Sequence, residues 1–152
     1  GSMHTAYLLL GGNMENRDKV LQQALDALRD LGRITAVSAR KETEPWGFTK
    51  PVNSFLNQAV CLETELNPEL LMEKCLEIEH NLGRIRKQTE YPENSPKSYE
   101  SRLIDIDIML YDRVKINTKF LILPHPRLKE RPFAIELLEE ILPKNLSLED
   151  FY

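Results

Sequence analysis

The segment Ile104-Asp105-Ile106-Asp107-Ile108-Met109-Leu110 constrains this chain more than any other stretch. Large apolar residues at every second position mark a β-strand, because side chains along a strand alternate between its two faces. Ile104, Ile106, Ile108 and Leu110 are therefore expected on one face, which a core must cover. Asp105 and Asp107 then share the other face, about 7 Å apart. Two carboxylates at that spacing repel by roughly 2 kcal/mol at an effective dielectric of about 20, so the fold has to supply positive charge nearby. Magnesium meets that need: it prefers oxygen ligands and commonly binds through one or two carboxylates together with substrate phosphates. A solvated acidic face on an amphipathic strand satisfies the same pattern.

The cations around this strand favour a polyphosphate. Arg84, Arg86, Lys87 and Arg102 precede it, and His125, Arg127, Lys129 and Arg131 follow. The planar guanidinium fork suits phosphate oxygens. Arg84 and Arg102 bracket a segment without hydrophobic periodicity and read as functional, whereas Lys87, Arg127 and Lys129 read as ordinary solvated surface. His125, held between Pro124 and Pro126, can donate to a phosphate or serve the backbone around it. Gly11-Gly12-Asn13 lacks the Lys-Ser/Thr of a phosphate loop and is more simply a tight turn. Pro45, Trp46, Phe48, Pro51 and Phe55 gather apolar and aromatic surface in and beside one loop. A flat heteroaromatic ligand can stack there, with Phe133 as a second ring; a hydrophobic flap over the core is the alternative.

The rest of the chain supplies a frame for these residues. Strands are expected at 6–10, 34–42, 55–63, 104–111 and 120–123. Leu21, Ala24, Leu25, Leu28 and Leu31 recur at helical spacing, with Gly32 as the stop. Asn67-Pro68 opens a second helix, whose buried stripe is Leu71, Cys75, Ile78 and Leu82 and whose end is Gly83. Residues 84–102 read as a lid, disordered without ligands by their composition. Residues 133–141 form a last helix. This order suggests an α+β sandwich, an antiparallel sheet with helices packed on it. At 152 residues the chain forms a single domain from residue 4 onward, residues 1–3 being a tag remnant and an initiator Met. A net charge of −4 argues against a nucleic-acid partner. Cys61 and Cys75 sit in apolar patterns and read as reduced core thiols, which fits the cytoplasm. No run is long and apolar enough to span a bilayer.

Several segments, in order, resemble the 6-hydroxymethyl-7,8-dihydropterin pyrophosphokinase family of folate biosynthesis. They are Gly11-Gly12-Asn13, 42–47, Phe55-Leu56-Asn57, Ile78-Glu79, 83–86, Arg102 with 105–108, 124–127 and 131–133. Gly12 stands where that family often has Ser, and Leu103-Ile104 where it has Thr-Leu. The resemblance implies a ferredoxin-like fold and a monomeric enzyme. It further implies transfer of pyrophosphate from the co-substrate ATP to the pterin hydroxymethyl group, with release of AMP. Asp105 and Asp107 would bind two Mg²⁺ ions, and Arg84 and Arg102 would act with them in catalysis. Glu79, Arg84, Arg86, Arg102, Ile108, Leu121, His125 and Arg131 would line the ATP side. Phe55 and Phe133 would sandwich the pterin, with Thr43, Pro45, Trp46 and Asn57 as its edge and walls. A ferredoxin-like ligand-binding or regulatory module, or an ATP-dependent transferase for another flat heterocycle, are the competing readings.

Overall fold

The computed structural model describes residues 2–13, 16–44, 54–90 and 104–152, the side chains of 84–90 excepted. Five strands form the main sheet: β1 (His4–Gly12), β2 (Arg33–Val37), β3 (Lys41–Thr43), β4 (Phe55–Thr64) and β5 (Ile104–Tyr111). Its order is β2-β4-β1-β5, with β3 continuing beside β4, and every pairing is antiparallel. This is the expected ferredoxin-like arrangement: each helical crossover returns the chain two strands away, with β4 between β1 and β2 and β1 between β4 and β5. A separate two-residue hairpin joins β6 (Ile116–Asn117) to β7 (Ile122–Leu123).

Helices α1 (Arg17–Leu28) and α2 (Pro68–Glu90) cover one face of the sheet, and α3 (Pro132–Ile141) covers the other. The central strands are near-continuous apolar runs because both of their faces are covered. Ala6, Leu8, Leu10, Val60 and Leu62 point toward α1 and α2, into a core shared with Leu21, Leu28 and Leu71. Tyr7, Leu9, Ala59 and Cys61 point the other way, against Ala134, Leu137, Leu138 and Phe151. Edge strand β2 alternates exposed and half-buried residues, as an uncovered edge should. The two cysteines are buried free thiols in opposite cores, so no disulfide joins them.

Helix α2 starts where Asn67-Pro68 predicts: Leu70 N–H donates to Asn67 Oδ1 at 2.8 Å. Four expectations need correction. Gly83 does not end α2, whose backbone stays helical to Glu90, so the expected lid does not begin at residue 84. The predicted strand 34–42 is two strands, because the pairing with β4 slips by a residue between Ile34 and Ala36 and lapses before Lys41. Leu110 does not share a face with the three isoleucines. The register shifts opposite Tyr7 and Leu8, leaving Met109 as an extra residue. Such a bulge turns the following side chain over, so Leu110 joins Met109 in the α3 core. The predicted strand 120–123 shortens to β7, and Phe120 lies in the turn before it.

Candidate active site

Below the bulge, β5 keeps strict alternation. Ile104, Ile106 and Ile108 are buried in the core under α1 and α2. Asp105 and Asp107 consequently emerge on the opposite face, where α3 leaves the end of the sheet uncovered. Two cavities meet there. The first, of about 500 Å³, is lined by Thr43, Phe55, Asn57, Arg131 and Phe133 among others, with Asp105 and Asp107 in its wall. The second, of about 400 Å³, is lined by Glu79, Ile108, Leu121 and His125, again with Asp105 and Asp107. The acidic pair is thus common to both.

Among the described residues, carboxylates crowd this junction. Asp105 faces a cavity mouth yet is closely ringed by protein. Shortage of water, then the charge of Asp107, raise its carboxyl from 3.8 to about 6, with Arg131 opposing. Glu79 is pushed up to about 7, chiefly by burial. Its Oε2 accepts the Ile106 N–H at 2.6 Å, which restrains that rise, and Asp105 and Asp107 add to it. Among the described residues, the Arg131 guanidinium stands 3.8 Å from Asp107 Oδ2.

Such a site suits a hard divalent cation. Among the described residues no group of three His, Cys, Asp or Glu side chains could hold a metal alone. Magnesium does not need one, since it takes a few carboxylate oxygens and completes its shell with water and phosphate. Two carboxylates short of positive charge, beside a cavity sized for a second ligand, fit that demand.

His125 is fixed from both sides: its N–H donates to Met109 O at 2.9 Å, and Arg127 N–H donates to its Nδ1 at 3.1 Å. Because Nδ1 accepts, the neutral ring carries its proton on Nε2. Burial lowers its pKa from the ordinary 6.5, outweighing the pull of Asp107 and favouring the neutral, donating ring at pH 7. It therefore serves the backbone and keeps a donor for the second cavity, reconciling both readings of its sequence context.

In the first cavity, Asn57 lies opposite Gly11. A Cβ on Gly11 would stand 3.0 Å from Asn57 Oδ1, so glycine gives this amide room. Asn57 Nδ2 donates to Lys41 O at 3.1 Å and to Thr43 Oγ1 at 2.8 Å. Both amide hydrogens are engaged, which leaves Oδ1 as its remaining polar offer.

Most of the residues singled out from sequence meet at these cavities. Arg131, expected on the ATP side, lines the first cavity beside Asp107. Arg127, read as plain surface, also lines the first cavity, because the turn from His125 brings it inward. Lys129 does lie on the surface, over the Tyr152 ring at 4.0 Å. Glu130 in the first cavity, and Met72, Leu76 and Lys119 in the second, carried no local sequence signal. Pro45, Trp46 and Arg102, and the side chains of Arg84 and Arg86, lie outside the described residues.

Known proteins resemble this chain in sequence and in fold. The family model described as 7,8-dihydro-6-hydroxymethylpterin-pyrophosphokinase matches residues 7–143. Relatives named 2-amino-4-hydroxy-6-hydroxymethyldihydropteridine pyrophosphokinase include one from Methylorubrum extorquens, 39% identical over 93% of this chain and 84% of its own. Another, from Bacillus subtilis, is 40% identical over 90% of this chain and 77% of its own. One from Porphyromonas gingivalis is 38% identical over 93% of this chain and 92% of its own. The crystal structure of Plasmodium falciparum HPPK-DHPS with pteroate superposes with a TM-score of 0.63 over 99% of this chain at 14% identity, a likeness of fold. This chain spans about two fifths of that one, 42%.

Proposed function

This chain belongs to the 7,8-dihydro-6-hydroxymethylpterin-pyrophosphokinase family, and from that premise we propose how its two cavities share one reaction. The enzyme transfers pyrophosphate from ATP to the hydroxymethyl group of 6-hydroxymethyl-7,8-dihydropterin, in folate biosynthesis. The first cavity takes the pterin and the second takes ATP. The observation that carries this division is that Asp105 and Asp107 line both cavities, at the junction the transferring pyrophosphoryl group would cross.

Phe55 and Phe133 present aromatic surface to the flat pterin, while Thr43 and Asn57 meet its polar edge. Ile108 and Leu121 offer apolar surface to the adenine, and neutral His125 donates from Nε2 to a phosphate oxygen. Arg131, beside Asp107, balances charge at the junction and faces negative charge developing on the transferring group. Arg84, Arg86 and Arg102 are kept on the ATP side on sequence grounds. Asp105 and Asp107 would hold Mg²⁺, two ions in this reading. Such an ion would supply positive charge for the triphosphate and would make the attacking hydroxyl easier to deprotonate.

Incubation with Mg²⁺, ATP and the hydroxymethyl-dihydropterin tests this directly. AMP and the pterin diphosphate are expected in equal amounts, and AMP formed only with another flat heterocycle would reassign the acceptor. Asp107→Ala is expected to cut turnover at least about 100-fold, the scale of losing one charge-stabilising group, while its circular dichroism stays that of the parent. Full turnover in a folded variant would overturn the placement of the metal.

A further inference from the structure

Away from both cavities, one guanidinium ties three segments together. Arg17, the first residue of α1, directs Nη1 at Glu42 Oε2 (2.7 Å), Ser54 Oγ (2.8 Å) and Ser54 O (3.0 Å). The Ser54 hydroxyl in turn donates to Glu42 Oε2 at 2.7 Å. Its oxygen thus accepts from Arg17 while its hydrogen goes to the carboxylate, so the donor and acceptor roles are mutually consistent. The Glu42 carboxyl is lowered by the Ser54 and Arg17 hydrogen bonds together.

The location of this tie matters more than its strength. β3 has only three residues, and its pairing with β4 ends at Thr43 and Phe55. A ladder that short frays readily at its last pair. Glu42 and Ser54 immediately precede Thr43 and Phe55, both of which line the first cavity. Strand alternation puts Lys41 and Thr43 on one face of β3 and Glu42 on the other, opposite Leu56, which packs toward α1. The tie therefore braces the back of the ladder whose front carries Thr43, Phe55 and Asn57.

We infer that Arg17 is a positioning residue for the heterocycle: through Glu42 and Ser54 it holds Thr43 and Phe55 at the spacing that Asn57 and the ligand require. This rests on the assignment of the first cavity to the pterin. Arg17 touches neither substrate and stands apart from the acidic pair, so its removal acts on pterin binding rather than on the chemical step.

Steady-state kinetics of Arg17→Met, with each substrate varied in turn, tests the inference. Because exposed charge pairs contribute modestly, KM for the dihydropterin is expected to rise about three- to tenfold, with kcat and KM for ATP within about twofold of wild type. Arg17→Lys is expected to recover part of the loss. Ser54→Ala, which keeps the fold's charges, is expected to show the same selective rise at smaller size and serves if Arg17→Met does not fold. The Asn57 side-chain amide resonance of the ligand-free protein is expected to shift in both variants. Equal losses for both substrates, or no change in pterin KM in a folded variant, would overturn the inference alone. Wild-type protein that turns over no dihydropterin would overturn the cavity assignment, and this inference with it.

Discussion

Asp105 shows how a single side chain trades stability for chemistry. Its carboxyl is harder to ionise in the folded chain than in the unfolded one, rising from 3.8 to about 6 through burial and the neighbouring Asp107. An acid whose folded value is raised holds its proton more tightly when folded, so ionising it works against folding. That penalty is absent below about pH 4 and fully developed above about pH 6. Asp105→Asn should therefore melt at a higher temperature than the ligand-free parent near about pH 8, with the difference closing as the pH falls toward about 4. Identical melting curves across that range would contradict the raised carboxyl of Asp105. Glu79, pushed up to about 7, adds to the same trend. A cation between such groups relieves the repulsion, which is the physical sense in which the ligand-free site is built for its ligand.

At the scale of elements, function depends on where strands and helices begin, end and slip. The bulge at Met109 lets β5 serve two masters: three isoleucines anchor its first half under α1 and α2, and Met109 and Leu110 anchor its second half under α3. The aspartates lie before the bulge and keep the alternation that sets them on the cavity face. Helix α2 brings Glu79 to the Ile106 N–H, so its start position matters to the site. Asn67 sets that start by capping Leu70 N–H. Asn67→Ala is expected to cost about 1 kcal/mol in urea denaturation, with little change in turnover. An unaltered midpoint would show that the cap is dispensable.

For the whole molecule, the sheet is the shared wall of two cores. β1 and β4 send alternate residues into each, so neither core can empty without disturbing the other. Leu138, fully buried on the inner face of α3, and Leu21, fully buried in α1, sit in opposite cores. Truncating either to alanine is expected to cost about 2–5 kcal/mol, and each variant should still unfold in one cooperative transition by circular dichroism. Two separated transitions would mean that the layers fold independently. No helix among the described residues is long and apolar enough to cross a membrane.

Much of this was legible in the residues because its causes are local. Period-two isoleucines made β5 a strand and put Asp105 and Asp107 on one face; Asn67-Pro68 marked the start of α2; the ordered motifs brought the family into view. What sequence could not carry were features decided by a partner far along the chain. The bulge that turns Leu110 exists only in the pairing of β5 with β1, and Gly83 remains helical where a local rule would stop it. Arg127 read as surface until the turn after His125 brought it to the cavity. The acidic pair was a pattern in one strand. Only the packing of α3 and the β6–β7 hairpin around it made that pattern the common wall of two cavities, because a cavity is a property of the surfaces that fail to meet.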